Sequence, residues 1–208
     1  ALGALRTSVT ALQLGFLNDP PTFYADGGPA RAERVSQQLL EQGDLLTAAK
    51  AQMLLGQAEW YRGSGVDVAA THLSNAVDWL SREPAGEQFT SALAELARLR
   101  MLTQQYREAI SLADRAIAIA RPLGLTEVEA NALVTAGTAR YSVGDPLGLV
   151  QQEAALELCR TKGLRALQRA ANNLATTMQE EGRLRRSYEL IEESAHAARG
   201  WGLSLTTR

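Results

Sequence analysis

The sequence predicts an all-α repeat protein, a right-handed α-α superhelix of about five helical hairpins. Three observations predict it. Arg82, Arg121, Arg160 and Arg199 recur at a fixed interval of 39 residues, and the last three open near-copies of one turn: Arg121-Pro-Leu-Gly-Leu, Arg160-Thr-Lys-Gly-Leu and Arg199-Gly-Trp-Gly-Leu. Such self-similarity marks one supersecondary unit stacked on copies of itself. Small side chains then align in columns at the same interval, Ala58, Ala97, Ala136 and Ala175, followed by Ala70, Ala109, Gly148 and Ser187. Small residues at fixed places let paired helices approach closely. Finally, only 5% of residues are aromatic, and Ala, Leu, Gln, Glu and Arg abound with few β-branched runs, a helical composition.

Periodicity and end signals predict helices over residues 2–17, 29–42, 45–62, 67–82, 87–103, 106–121, 127–142, 146–161, 165–181 and 184–199. The clearest face is Tyr106, Ala109, Ile110, Ala113, Ala116, Ile117 and Ala120, spaced i, i+3, i+4, i+7. Gly124, Gly163 and Gly202 stand where helices end and a positive φ is needed, each followed by a Leu that packs back on the last turn. Thr126 and Glu129 read as a capping box, Asp145-Pro146 as an N-cap with a first-turn proline, and Pro84 and Pro122 follow helix ends. Residues 1–208 are expected to form a single solenoid. Residues 1–43 make an atypical first hairpin with a loop of about ten residues, Asn18 to Pro29, and residues 44–202 make four regular hairpins. That loop is an insertion or a functional lip. The chain begins without Met in what reads as mid-helix and ends at Leu203-Ser-Leu-Thr-Thr-Arg208, where the period predicts a further helix, so a fragment of a longer chain is expected.

A formal charge of −2 and a pI near 5.8, with scattered basic residues, give no footprint for nucleic acid. No apolar run reaches the length of a membrane span and no signal peptide is visible, so a cytoplasmic location and no membrane partner are expected. The single Cys159 lies at an apolar helical position, as a buried thiol in a reducing compartment does. Only Lys50 and Lys162 are lysines, and neither follows a glycine run of the phosphate-binding kind. His72 and His196 lie on different hairpins without a second ligand at metal spacing. No cofactor, metal or catalytic residue is expected. The run Gly182-Arg-Leu-Arg-Arg186 is a solvated turn or a basic contact. The four periodic arginines complement helix C-termini or form a basic ridge for an acidic partner.

The unit Ala130-Asn-Ala-Leu-Val-Thr-Ala-Gly-Thr-Ala-Arg-Tyr-Ser-Val-Gly-Asp145 resembles the tetratricopeptide repeat (TPR), as do Asn173-Leu-Ala-Thr-Thr-Met-Gln-Glu-Glu-Gly182 and Tyr106-Arg-Glu-Ala-Ile-Ser-Leu-Ala-Asp-Arg-Ala. The resemblance covers residues 45–200 and extends more weakly to the N-terminus. The period of 39 exceeds the family's, and in the 126–143 helix Gly137 fits the family while Ala136 fits the strict period. The long unit, the Leu-Gly-Leu turns and Asn172-Asn173-Leu-Ala are similar to the TPR region of bacterial multidomain regulators, in which a STAND or AAA-type ATPase joins a class III nucleotide cyclase or a LuxR-type DNA-binding domain.

That resemblance implies binding on a concave surface lined by the first helix of each hairpin. Carried over residue by residue, the candidates are Lys50, Met53, Gln57, Trp60 and Tyr61, then Ala94, Arg98 and Met101. They continue with Asn131, Val134, Thr138 and Tyr141, and with Arg169, Asn172, Thr176 and Gln179. Aromatic anchors mixed with amides suit a protein or peptide partner. A lysine–asparagine clamp for a C-terminal carboxylate is not reproduced. Trp60 and Tyr61, adjacent on one helix, either divide between two faces or both pack on the irregular turn at Gly63 and Gly65. The implied function is a non-enzymatic interaction or sensor module of a signalling or transcriptional regulator, its partner another protein, a peptide or its own ATPase or effector domain. Alternatives are a cytoplasmic peptide-pheromone receptor, with Asn131, Asn172 and Asn173 holding a peptide backbone, and a structural spacer.

Overall fold

The computed structural model describes residues 2–63 and 65–200. Among them are eleven helices and no strand: α1 Leu2–Asn18, α2 Pro20–Ala25, α3 Gly28–Glu41, α4 Leu45–Arg62, α5 Val66–Leu80, α6 Glu87–Leu102, α7 Tyr106–Ala120, α8 Thr126–Ser142, α9 Leu147–Lys162, α10 Leu167–Glu180 and α11 Leu184–Gly200. All ten predicted helices are present, with ends displaced by at most two residues. Two compact units form, residues 1–96 and 97–208, the division falling within α6. Gly202 and the helix expected from Leu203 lie outside the described residues.

In the first unit α3 packs on α4 and α4 on α5. Val9, Leu39, Ala48 and Ala51 form one apolar cluster, and Leu12, Phe16, Phe23, Leu54, Leu55 and Ala58 another. The second contains a helix within the segment expected to be a loop, Asn18 to Pro29. Asp19 accepts a hydrogen bond from the Thr22 amide at 3.2 Å, and two prolines occupy the first helical positions, so α2 forms there. Phe23 drops from α2 into the core, and the Tyr24 hydroxyl donates to the Ala58 carbonyl. The expected loop is thus a docked helix. The Asp-Pro pair at Asp145-Pro146 behaves differently from the expected cap and first-turn proline: Pro146 itself is the N-cap of α9, without a side-chain cap bond, and the Asp145 carboxylate accepts from the Leu147 amide at 3.0 Å.

The second unit shows the repeat most plainly. Five turns share one bond, from the residue after a left-handed position back to a carbonyl five residues earlier: Gln105 to Arg100, Leu125 to Ala120, Asp145 to Arg140, Leu164 to Cys159 and Arg183 to Met178, at 2.8–3.0 Å. The left-handed residue is glycine in four of them and Gln104, at φ 61°, in the fifth. The capping box is absent. Thr126 is the first residue of α8, its hydroxyl bonded to the Gly124 carbonyl, and Glu129 pairs with Arg121 at 2.9 Å. A carboxylate committed to the preceding helix end is not available to cap its own.

All eight column residues are buried. The ambiguity in α8 resolves by geometry: Ala136 keeps the period, and Gly137 is where α8 crosses α9, since a Cβ there would lie 2.9 Å from the Gln152 backbone nitrogen. Ala109→Leu and Ala175→Leu should each lower stability by roughly 1–3 kcal/mol through overpacking, read from chemical denaturation midpoints. Arg140, largely buried, joins α7 to α8 by gripping the Asp114 carboxylate at 2.6 and 3.0 Å, and Asp145 lies 3.4 Å away. Asp114 leads the groups that raise its pKa above the ordinary arginine value.

Candidate functional site

The first helices of the hairpins carry the predicted binding residues. In the first unit α1, α4 and the start of α6 enclose a groove of about 290 Å³, lined by Gln13, Lys50, Met53, Leu54, Gln57, Glu87, Gln88 and Ser91. Three sequence candidates, Lys50, Met53 and Gln57, therefore meet in one depression, because successive helical turns of α4 place them on one face. Gln13, Gln88 and Ser91 were missed. They belong to neighbouring first helices, which a reading within one hairpin does not reach.

Tyr61 stacks on Tyr24 at 6.4 Å and meets Phe16 edge-on at 5.8 Å, and Arg62 lies 5.9 Å above the Tyr24 ring. Tyr61 remains 62% exposed while helping to hold α2, whereas Trp60 is 36% exposed. Neither expected arrangement, two faces or a shared turn, foresaw the α2 ring as the partner.

In the second unit the first-helix face is laced by bonds between successive hairpins. The Glu127 carboxylate accepts from the Arg165 and Ala166 amides at 3.1 and 2.8 Å, capping the start of α10 one period downstream. Arg169 donates to the Asn131 carbonyl and to the Thr135 hydroxyl, and Asn173 donates to the Thr138 hydroxyl at 3.1 Å. The Asn131 amide donates to the Glu127 carbonyl at 3.0 Å. Thus Asn131, Thr138 and Arg169, predicted to bind a partner, join α8 to α10. Glu127 is a missed member of this ladder, 38 and 39 positions from its partners, and Asn173, expected in the receptor alternative to hold a peptide backbone, bonds to Thr138, 35 positions away.

Asn172, Thr176 and Gln179 are exposed along α10, Tyr141 is half-buried on α8 and Arg98 half-buried on α6. Three expectations are corrected. Met101 packs in a core cluster with Ala109 and Ala139, and Ala94 and Val134 are buried. The wide apolar arc of a sandwiched helix blurs the boundary between face and core.

Several other polar groups have structural partners. Arg160 grips Glu193 at 2.6 and 2.7 Å, its hydrogen bond holding that carboxyl below the usual glutamate range. Arg121 pairs with Glu129, so two of the four periodic arginines serve the fold. Arg183 pairs with Glu181, and Arg185 and Arg186 with Glu189, which balances the basic run. His72 places Nδ1 2.7 Å from the Gln52 side-chain oxygen, whose amide donates to Ser36. Burial, with Glu127 adding to it and Arg169 opposing, pushes the Cys159 thiol up to about 12, so it is almost entirely protonated near neutral pH. Among the described residues no group of three His, Cys, Asp or Glu is placed to hold a metal, and no helix is long and apolar enough to cross a membrane.

No protein-family model matches the sequence, and no curated protein matches it. Solved structures do. The TPR-like repeats of a putative kinesin light chain from Podosopora anserina superpose with a TM-score of 0.69 at 18% identity, over 97% of either chain. The fold is that of TPR-like helical repeats. A Rap protein complexed with Competence and Sporulation Factor gives a TM-score of 0.71 at 16% identity, over 84% of this chain and 49% of that one. MamA gives 0.56 at 14% identity, over 89% and 97%. The present chain thus spans about half the length of the Rap protein, and at such identities the TPR-like likeness is one of fold alone.

Proposed function

We propose that this chain is a non-enzymatic TPR-like module that binds a protein or peptide on its first-helix face, within a cytoplasmic bacterial signal-transduction or transcriptional regulator. The groove of the first unit carries the reading. Gln13, Gln57 and Gln88 offer amides that both donate and accept, Lys50 and Glu87 offer one charge of each sign, and Met53 and Leu54 supply an apolar floor. Such a lining suits an extended polypeptide, whose backbone presents alternating donors and acceptors. In the second unit, Asn172, Thr176 and Gln179 expose amides and a hydroxyl of the same kind along α10. A partner gripping these surfaces favours one arrangement of the helices and biases an attached domain, and a STAND or AAA-type ATPase coupled to a cyclase or DNA-binding domain is the proposed parent.

The test selects ligands for the 208-residue chain from a displayed library of short peptides and measures affinity by fluorescence polarisation. Gln57→Ala, Trp60→Ala, Arg98→Ala and Asn172→Ala should each weaken binding roughly fivefold or more, the loss of about 1 kcal/mol, with the melting temperature nearly unchanged. Full affinity in all four variants would overturn the assignment of the face. The fold-level similarity to a Rap protein in complex with a factor favours a second reading, a peptide-pheromone receptor. A single short peptide that raises the melting temperature supports the receptor, whereas stabilisation only by a folded partner supports the regulator module.

A further inference from the structure

Each unit uses the polar side chains of its first helices differently. In the second unit Asn131, Arg169 and Asn173 commit theirs to other residues of the same face. In the groove of the first unit the opposite holds. Among the described residues, the side chains of Gln13, Lys50, Gln57, Glu87, Gln88 and Ser91 make no hydrogen bond or ion pair within the chain, although Gln57, Gln88 and Ser91 are half-buried. Half-buried polar groups without a partner in their own chain are left for solvent or a ligand to satisfy. The groove lies between α1, α4 and α6, so both of its walls belong to the described fold.

The fold accounts for one of the two charges in the groove and not for the other. Glu87 opens α6, where the positive end of a helix favours a carboxylate. Lys50 stands in the second turn of α4, where a cation gains nothing from the helix, and no acidic side chain pairs with it. Its neighbours set the scale of what it meets. Lys50, Met53 and Gln57 follow three- and four-residue steps along one side of α4, a span of about 10 Å, the length of roughly three residues of extended chain. We infer that the groove selects an extended segment of a partner polypeptide carrying an acidic side chain, whose carboxylate Lys50 reads. A neighbouring apolar side chain lies over Met53, and the backbone meets the Gln57 amide. Lys50 is the one cation among the lining residues, whereas the amides are spread along the groove. That distribution fits a single carboxylate on a chain that continues through the groove better than a chain end, whose carboxylate needs several donors gathered in one place. The inference rests on the peptide-binding reading above and names what that face selects.

The experiment takes peptides selected on the 208-residue chain from a displayed library, synthesises them with acetylated and amidated ends so that every carboxylate is a side chain, and titrates them by fluorescence polarisation. The selected sequences should carry Asp or Glu beside an apolar residue. Lys50→Glu in the protein, or Lys in place of the acidic residue in the peptide, should each weaken binding about tenfold, and the two together should restore it, because opposite charges then face each other again. The melting temperature of Lys50→Glu should stay near that of the parent, since Lys50 is exposed and bonds to nothing in its own chain. Binding that Gln57→Ala weakens and Lys50→Glu leaves at full strength overturns this inference while the binding face stands. Peptides that bind only with a free C-terminal carboxylate, or a preference for basic peptides that Glu87→Gln removes, overturn it equally. A chain that binds no peptide overturns both readings, so the two failures are told apart.

Discussion

Gly148→Ala should lower stability by about 2 kcal/mol or more, against the sign that helix propensity alone gives. Alanine inside a helix ordinarily gains about 1 kcal/mol over glycine. At Gly148 the added Cβ would lie 2.3 Å from the Tyr141 backbone nitrogen, 2.7 Å from its Cα and 2.9 Å from the Gly137 carbonyl oxygen. These are backbone atoms of α8, which no rotamer change can move, so α9 must separate from α8 along its first turns. Separation loosens the contacts of buried Leu156 and Gln152 as well. Gly15 in α1 is the internal control, since a Cβ there meets nothing within 4 Å. Gly15→Ala should raise stability by roughly 0.5–1 kcal/mol. Denaturation of both variants, followed by circular dichroism, gives opposite signs if the α8–α9 crossing is as close as described. A Gly148→Ala protein as stable as the parent would mean that the two backbones do not touch.

That crossing shows how far the sequence carried the reading. The 39-residue interval placed Gly148 in the column of Ala109 and Ser187, and all three are buried, because stacked copies of one unit must repeat their contacts. The interval does not say which first-helix residue Gly148 faces. Adjacent Ala136 and Gly137 are both small, and only the crossing geometry selects Gly137. The candidate face was legible to a similar degree. A helical repeat fixes which residues share a side, so Lys50, Met53 and Gln57 were found together. It does not say whether a polar side chain reaches outward or across to the next hairpin. Asn172 is exposed, while its neighbour Asn173 bonds to Thr138, a difference of one helical step. The first hairpin escaped for another reason. α2 has no counterpart among the described residues, so periodicity is silent there, and only its local Asp19-Pro20 cap announces it.

α2 is held chiefly by one side chain, so Phe23→Ala should be the most damaging single truncation in the first unit. Phe23 is 6% exposed, shares a cluster with Leu12, Phe16, Leu54 and Leu55, and meets the Phe16 and Tyr24 rings edge-on at 5.4 Å each. Removing a buried phenylalanine costs about 3–5 kcal/mol, the transfer of the ring plus the cavity it leaves. Collapse into that cavity is opposed on one side by Gly28, whose backbone abuts the ring so closely that a Cβ would lie 2.4 Å from it. A helix of six residues is unstable alone, so α2 should unfold once its anchor is gone. Tyr24 would then lose both its bond to Ala58 and its stacking on Tyr61. Hydrogen exchange should therefore show protection falling in α1, α2 and the last turns of α4, with α8 to α11 retaining theirs, because contacts in a repeat array are made between neighbours. A variant that keeps α2 protected, or loses less than about 1 kcal/mol, would show that the segment is held by its caps and not by the ring.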